Sequence, residues 1–132
     1  MRFSYHALAL GWAVVILILT LLPAQALPPG PKWDFLTFDS LVHAVLFGVQ
    51  LLLLLYGLQR DPSVQLNKRL MTASFLLVVF FGTLVEVLQG AMGFGRQADP
   101  VDAISNSVGG VIGLLVWSLV SRRLWANSRK VG

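Results

Sequence analysis

Four apolar runs, at about residues 7–22, 38–58, 70–88 and 101–120, dominate this 132-residue chain and limit what it can become. One small aqueous core has no room for four segments of that length. A bilayer accommodates them, since a spanning helix needs about 20 predominantly apolar residues. Charged residues make up 12% of the chain, where a soluble domain carries about a quarter. Mean hydropathy is +0.75. A segment in hydrocarbon must satisfy its own backbone hydrogen bonds, so each run is expected to be helical. The fold class that follows is all-α: a four-helix transmembrane bundle, one integral membrane domain over residues 1–132.

The first run also resembles a secretory signal, with Arg2 before it and Ala24-Gln25-Ala26 after it as a small-residue cleavage site. Its apolar stretch is long for a signal, and Pro28, Pro29 and Pro31 follow closely, which favours a retained helix. Basic residues set the orientation. Arg2, Arg60, Lys68, Arg69, Arg122, Arg123, Arg129 and Lys130 lie on one side, and only Lys32 and Arg96 on the other. The first side is expected to be cytoplasmic, giving an N-in/C-in chain. Trp33 and Trp125 fall where interfacial aromatic residues are expected. The net charge of +4 is spread over helix ends, which points to anionic lipid headgroups and away from nucleic acid. Zero cysteines exclude disulfides, thiolate metal sites and thiol catalysis.

The polar residues inside or beside the runs are more informative. Asp39 and His43 open the second helix, Glu86 and Gln89 close the third, Arg96 lies in the following loop, and Asp99, Asp102 and Asn106 open the fourth. On this topology all of them sit at the extracytoplasmic end. Ionisable groups in a span cost about 2.5–3.5 kcal/mol each on the insertion scale, so they face the bundle interior or water. Helical spacing groups Asp39 with His43 and Gln50, Glu86 with Gln89, Gly82 and Thr83, and Asp102 with Asn106, Gly109 and Gly113. Asp39-x-x-x-His43 and Asp102-x-x-x-Asn106 repeat one pattern at the starts of two inward-running helices. Three polar faces are thus expected to converge on one pocket.

Structural roles are expected for several residues. Asp99 before Pro100 reads as an N-cap. Gln50, Thr72 and Ser74 read as interhelical hydrogen bonding, and Gly48, Gly109, Gly110 and Gly113 as packing. Gly109 and Gly113 form a GxxxG, a surface on which a second copy of the chain could pack. Glu86 needs a partner, and Arg96, carried by Gly93-Phe94-Gly95, is the obvious counter-charge. With no His-x-x-x-His motif, neither a metal nor a cofactor is expected.

Asp39-x-x-x-His43, Glu86-x-x-Gln89, and Arg96-x5-Asp102-x3-Asn106-x2-Gly109 together resemble the VanZ-like membrane proteins. The resemblance covers roughly residues 37 to 115. It implies a small helical protein of the bacterial inner membrane, crossing it several times. The family's namesake is associated with low-level resistance to teicoplanin, a lipoglycopeptide acting at the outer face of that membrane. Many members have no such link, and the resemblance supplies no mechanism.

Two functions from different classes remain. In the first, Asp39, His43, Glu86, Gln89, Arg96, Asp102 and Asn106 form an outward-facing pocket for an amphiphile: a lipid headgroup, a lipid-linked precursor or a lipoglycopeptide. Arg96 would hold an anionic group. In the second, the chain is an enzyme on a lipid-linked substrate. His43 or Glu86 would then be the general base, Asp39 would orient His43, and Arg96 would stabilise developing negative charge. A scaffold or assembly factor is a third reading, in which the polar residues are structural glue.

Overall fold

The computed structural model describes residues 3–26 and 38–128, with the side chains of Phe3, Ala24 and residues 124–128 excepted. Arg2, the prolines after residue 27, Lys32, Trp33, Arg129, Lys130 and the Trp125 side chain lie outside this description. Four long helices account for nearly all of it: α1 (Phe3–Leu21), α2 (Phe38–Arg60), α3 (Lys68–Met92) and α4 (Pro100–Ser128). A short 3-10 turn, Ala24–Ala26, follows α1. All four helices are long and apolar enough to cross a bilayer. At 1.5 Å per residue, the 23 residues of α2 reach about 35 Å, enough for a hydrocarbon core of about 30 Å.

The helices run past the apolar stretches at several ends because polar residues can join a helix once it reaches the headgroup layer. Local chemistry fixes the boundaries. The Asn67 side chain accepts a hydrogen bond from the Leu70 amide at 3.0 Å and caps α3. Gly93, with φ 67°, takes the left-handed conformation that ends it. Asp99 caps α4 by accepting from the Val101 amide at 2.8 Å, with Pro100 at the first helical position, as its sequence position suggests.

The second helix is central. It packs most extensively on α4 and also touches α1 and α3, while α1 and α4 do not meet among the described residues. Its inward face supplies Leu46, Phe47, Leu51 and Leu55, which join Ile16, Val78 and Val85 in the core. The outward faces are apolar and exposed, as with Leu8, Val14, Leu77, Phe80, Ile112 and Leu115. Such a belt is tolerable only in lipid.

The closest approach is between α2 and α4. A Cβ on Gly109 would collide with the backbone of Ala44, and one on Gly113 would lie 2.9 Å from the Gly48 carbonyl oxygen. The GxxxG groove formed by Gly109 and Gly113 receives α2 of the same chain. Gly110 instead faces the Phe75 ring. The first helix is fastened by polar bonds. Trp12 Nε1 donates to the Leu46 carbonyl at 2.9 Å, and Gln50 Nε2 to the Ala9 carbonyl at 3.1 Å. Thr72 and Ser74 depart from the interhelical role expected of them. Each donates to the carbonyl four residues earlier in its own helix.

Candidate functional site

Chain order brings the start of α2, the end of α3 and the start of α4 to one end of the bundle. Asp39, Ser40 and His43 come from α2, Glu86 from α3, Arg96 and Asp99 from the connection, and Asp102 and Asn106 from α4. His43 is fully buried, and Glu86, Asp102 and Asn106 nearly so. The opposite end holds Arg60, Lys68 and Arg69, with His6 3.5 Å from Asp61.

His43 is the centre of the cluster. Its Nδ1 lies 3.0 Å from Asn106 Oδ1, joining α2 to α4. Glu86 Oε1 lies 3.2 Å from the same nitrogen, at ion-pair distance but without hydrogen-bond alignment. Two oxygens face Nδ1, the arrangement expected when that nitrogen carries a ring hydrogen. The other oxygen of Glu86 accepts a hydrogen bond from the Asp99 amide at 3.2 Å, which ties α3 to the cap of α4. Ser40 Oγ donates to Asp102 Oδ1 at 2.5 Å, a second bond across the α2–α4 seam. Asn106 fits against α3 because residue 82 is glycine: a Cβ there would lie 2.8 Å from Asn106 Nδ2.

Arg96 does not pair with Glu86 as its sequence position suggests. Its Nη2 donates to Asp39 Oδ2 at 2.6 Å. Gly93 and Gly95 both have positive φ, 67° and 74°, which only glycine adopts freely, and the turn they make leads Arg96 back to α2. Asp39 is therefore the partner of Arg96 and not the orienter of His43; Glu86 and Asn106 hold the imidazole. Periodicity placed these residues on the right faces, but pairing depends on how each helix is rotated against its neighbours.

Gln89 and Thr83 have other roles. Gln89 Nε2 donates at 2.6 Å to the carbonyl of Thr20 near the end of α1, so its amide is taken up in holding α1 to α3. Thr83 is exposed and bonds to Val79 of its own helix. The spacing argument missed Ser40, which precedes His43 by one helical turn and shares its face. The two Asp-x-x-x-polar repeats do face each other, through the His43–Asn106 and Ser40–Asp102 bonds.

Three buried polar atoms of the cluster have no hydrogen-bond partner among the described residues: His43 Nε2, Glu86 Oε1 and Asn106 Nδ2. Groups of this kind are costly to bury alone, and native structures hold few of them. They come from three different helices. An arrangement of donor, acceptor and lone pair beside two ionisable side chains is suited to binding a polar group or transferring a proton.

Among the curated proteins and the solved structures, none matches this chain. A family profile does: VanZ/LLP1, over residues 10–121. The match extends into all four helices and contains every residue of the cluster. The fold is the multi-pass helical bundle that the resemblance implied, and the chain belongs to the VanZ/LLP1 family.

Proposed function

We propose that this membrane protein binds the polar head of an amphiphile at the cluster end of its bundle, on the extracytoplasmic face of a bacterial inner membrane. The observation that carries the reading is the set of three unpartnered buried polar atoms, one each from α2, α3 and α4. Asp39 stands at the rim, its side chain 44% exposed, and it covers the Arg96 guanidinium, whose side chain is 10% exposed; an incoming anionic group would take the place of Asp39 on that guanidinium. Leu41, Val45, Val101, Ile104 and Val108 are exposed on α2 and α4 near the same end. A hydrocarbon tail resting on them would stay in lipid while its head reached the cluster. The basic excess of the opposite end supports the orientation.

The test is the lipid that accompanies the purified protein. Mass spectrometry of extracts from the native chain and from Asp102→Ala is expected to show one amphiphile class depleted about tenfold in the variant. Identical lipid profiles would refute binding at this site.

One observation favours an enzyme as the second reading. Glu86 lies 3.2 Å from one nitrogen of His43 while the other nitrogen has no partner, the layout of a carboxylate-supported general base. Under that reading His43→Gln and Glu86→Gln abolish activity while the protein still folds. A binding protein loses affinity in a graded way with the same variants.

A further inference from the structure

We propose that His43, Asp39 and Asp102 form a binding site for one divalent first-row cation of the Mn2+ or Zn2+ kind. Asp39 one turn before His43 is compatible with a metal role, but the sequence carries no metal motif, because the ligands come from two helices and follow no His-x-x-x-His spacing. In the structure, a ring nitrogen of His43 and one carboxylate oxygen from each aspartate all lie within 4.8 Å of one another. Atoms bound to a common ion at about 2.1 Å sit about 3 to 3.5 Å apart, so closure requires shifts on the order of an ångström.

The state of the imidazole is the second and independent observation. Nδ1 faces Asn106 Oδ1 and Glu86 Oε1, which favours a hydrogen on Nδ1 and, in the neutral ring, leaves the lone pair on Nε2. Nε2 is buried and has no hydrogen-bond partner. Histidine ligands of metals are arranged in this way, one nitrogen on the ion and the other N–H turned to a carboxylate or carbonyl oxygen that fixes the tautomer. Glu86 and Asn106 would then be positioning residues for the ligand.

Formal charge points the same way. Among the described residues, the carboxylates of Asp39, Glu86 and Asp102 are gathered around His43, and Arg96 bonds Asp39. A divalent ion among them offsets the cost of burying carboxylates close together. One imidazole with carboxylate oxygens suits borderline and hard cations, and the absence of cysteine removes the donors that soft ions prefer. Asp102 Oδ1 accepts from Ser40, which orients that carboxylate and leaves its second oxygen for the ion. An ion on Nε2 would also prevent that nitrogen from acting as a general base, so the enzyme reading would need another proton acceptor.

The experiment is a titration of the purified, chelator-stripped protein in detergent micelles with Mn2+, following loss of the free-ion signal by electron paramagnetic resonance. One saturable site per chain is expected, with affinity at least tenfold weaker in His43→Ala and in Asp102→Asn. Asp39→Asn, at a half-exposed position where folding is least at risk, is expected to weaken binding in the same direction. A native protein without a saturable Mn2+ site would overturn the proposal, as would unchanged affinity in Asp39→Asn together with either buried-ligand variant that folds. The amphiphile reading fails separately: a chain that binds Mn2+ but carries the same lipids as its Asp102→Ala form would sink that reading alone.

Discussion

Replacing Gly109 with alanine tests the α2–α4 seam most directly. An alanine Cβ at this position would lie 2.7 Å from the carbonyl carbon of Ala44 and 2.8 Å from its Cα, and closer still to the carbonyl oxygen. Comfortable carbon contacts are about 3.5–4.0 Å, so the helices must separate by roughly 1 Å. Backbone atoms have no rotamer by which to move aside, which places the cost at the top of the usual overpacking range, about 3 kcal/mol. That is on the order of a hundredfold in the folding equilibrium. His43 precedes Ala44 and bonds Asn106 across the seam at 3.0 Å, so the same separation takes this bond beyond hydrogen-bonding distance. The assay is equilibrium unfolding in mixed micelles with increasing dodecyl sulfate, read by tryptophan fluorescence. Gly11→Ala is the control, because nothing lies within 4 Å of its added Cβ. Gly48→Ala and Gly113→Ala, each with a 2.9 Å contact to a carbonyl oxygen, are expected between the two. A Gly109→Ala protein within roughly 0.5 kcal/mol of the Gly11→Ala control, the range of neutral surface substitutions, would refute the reasoning.

Two other outcomes are expected. Asn67→Ala removes the cap of α3 and should lower stability by about 1 kcal/mol in the same unfolding experiment, leaving lipid and ion binding unchanged. The chain has no cysteine, so single cysteines report orientation. In intact cells an impermeant maleimide should label Gln97→Cys and spare Lys68→Cys, and the reverse pattern would invert the topology.

The spans were legible because bilayer thickness imposes a length and lipid imposes helices. The run at 38–58 corresponds to Phe38–Arg60, and that at 70–88 to Lys68–Met92. The ends were less legible, because polar residues extend the helices past their apolar runs, Arg60 at the end of α2 and Lys68 at the start of α3. That these polar residues cluster was also largely readable: Asp39, His43, Glu86, Arg96, Asp102 and Asn106 gather at one end of the bundle. Their pairing was not. Charge alone matched Arg96 with Glu86, whereas the structure gives Arg96 to Asp39 and sets Glu86 against His43. A one-dimensional pattern carries each helix's faces but not the rotation between helices, and here that rotation is set by the contact of Gly109 with Ala44. Gln89 shows the same gap. Its spacing aligned it with Glu86, yet its amide reaches the end of α1.

The bonds that fasten α1 bear on how the protein is made. Gln50 and Gln89 each carry an amide into hydrocarbon, and each finds its acceptor on a carbonyl of the first helix, at Ala9 and Thr20. Thr20 lies in the last turn of α1, where helix carbonyls lack an intrahelical donor, so one bond satisfies both groups. Because synthesis delivers α1 to the bilayer before α2 and α3, these acceptors are in place when the two glutamines arrive. A chain without α1 would leave both amides without these acceptors.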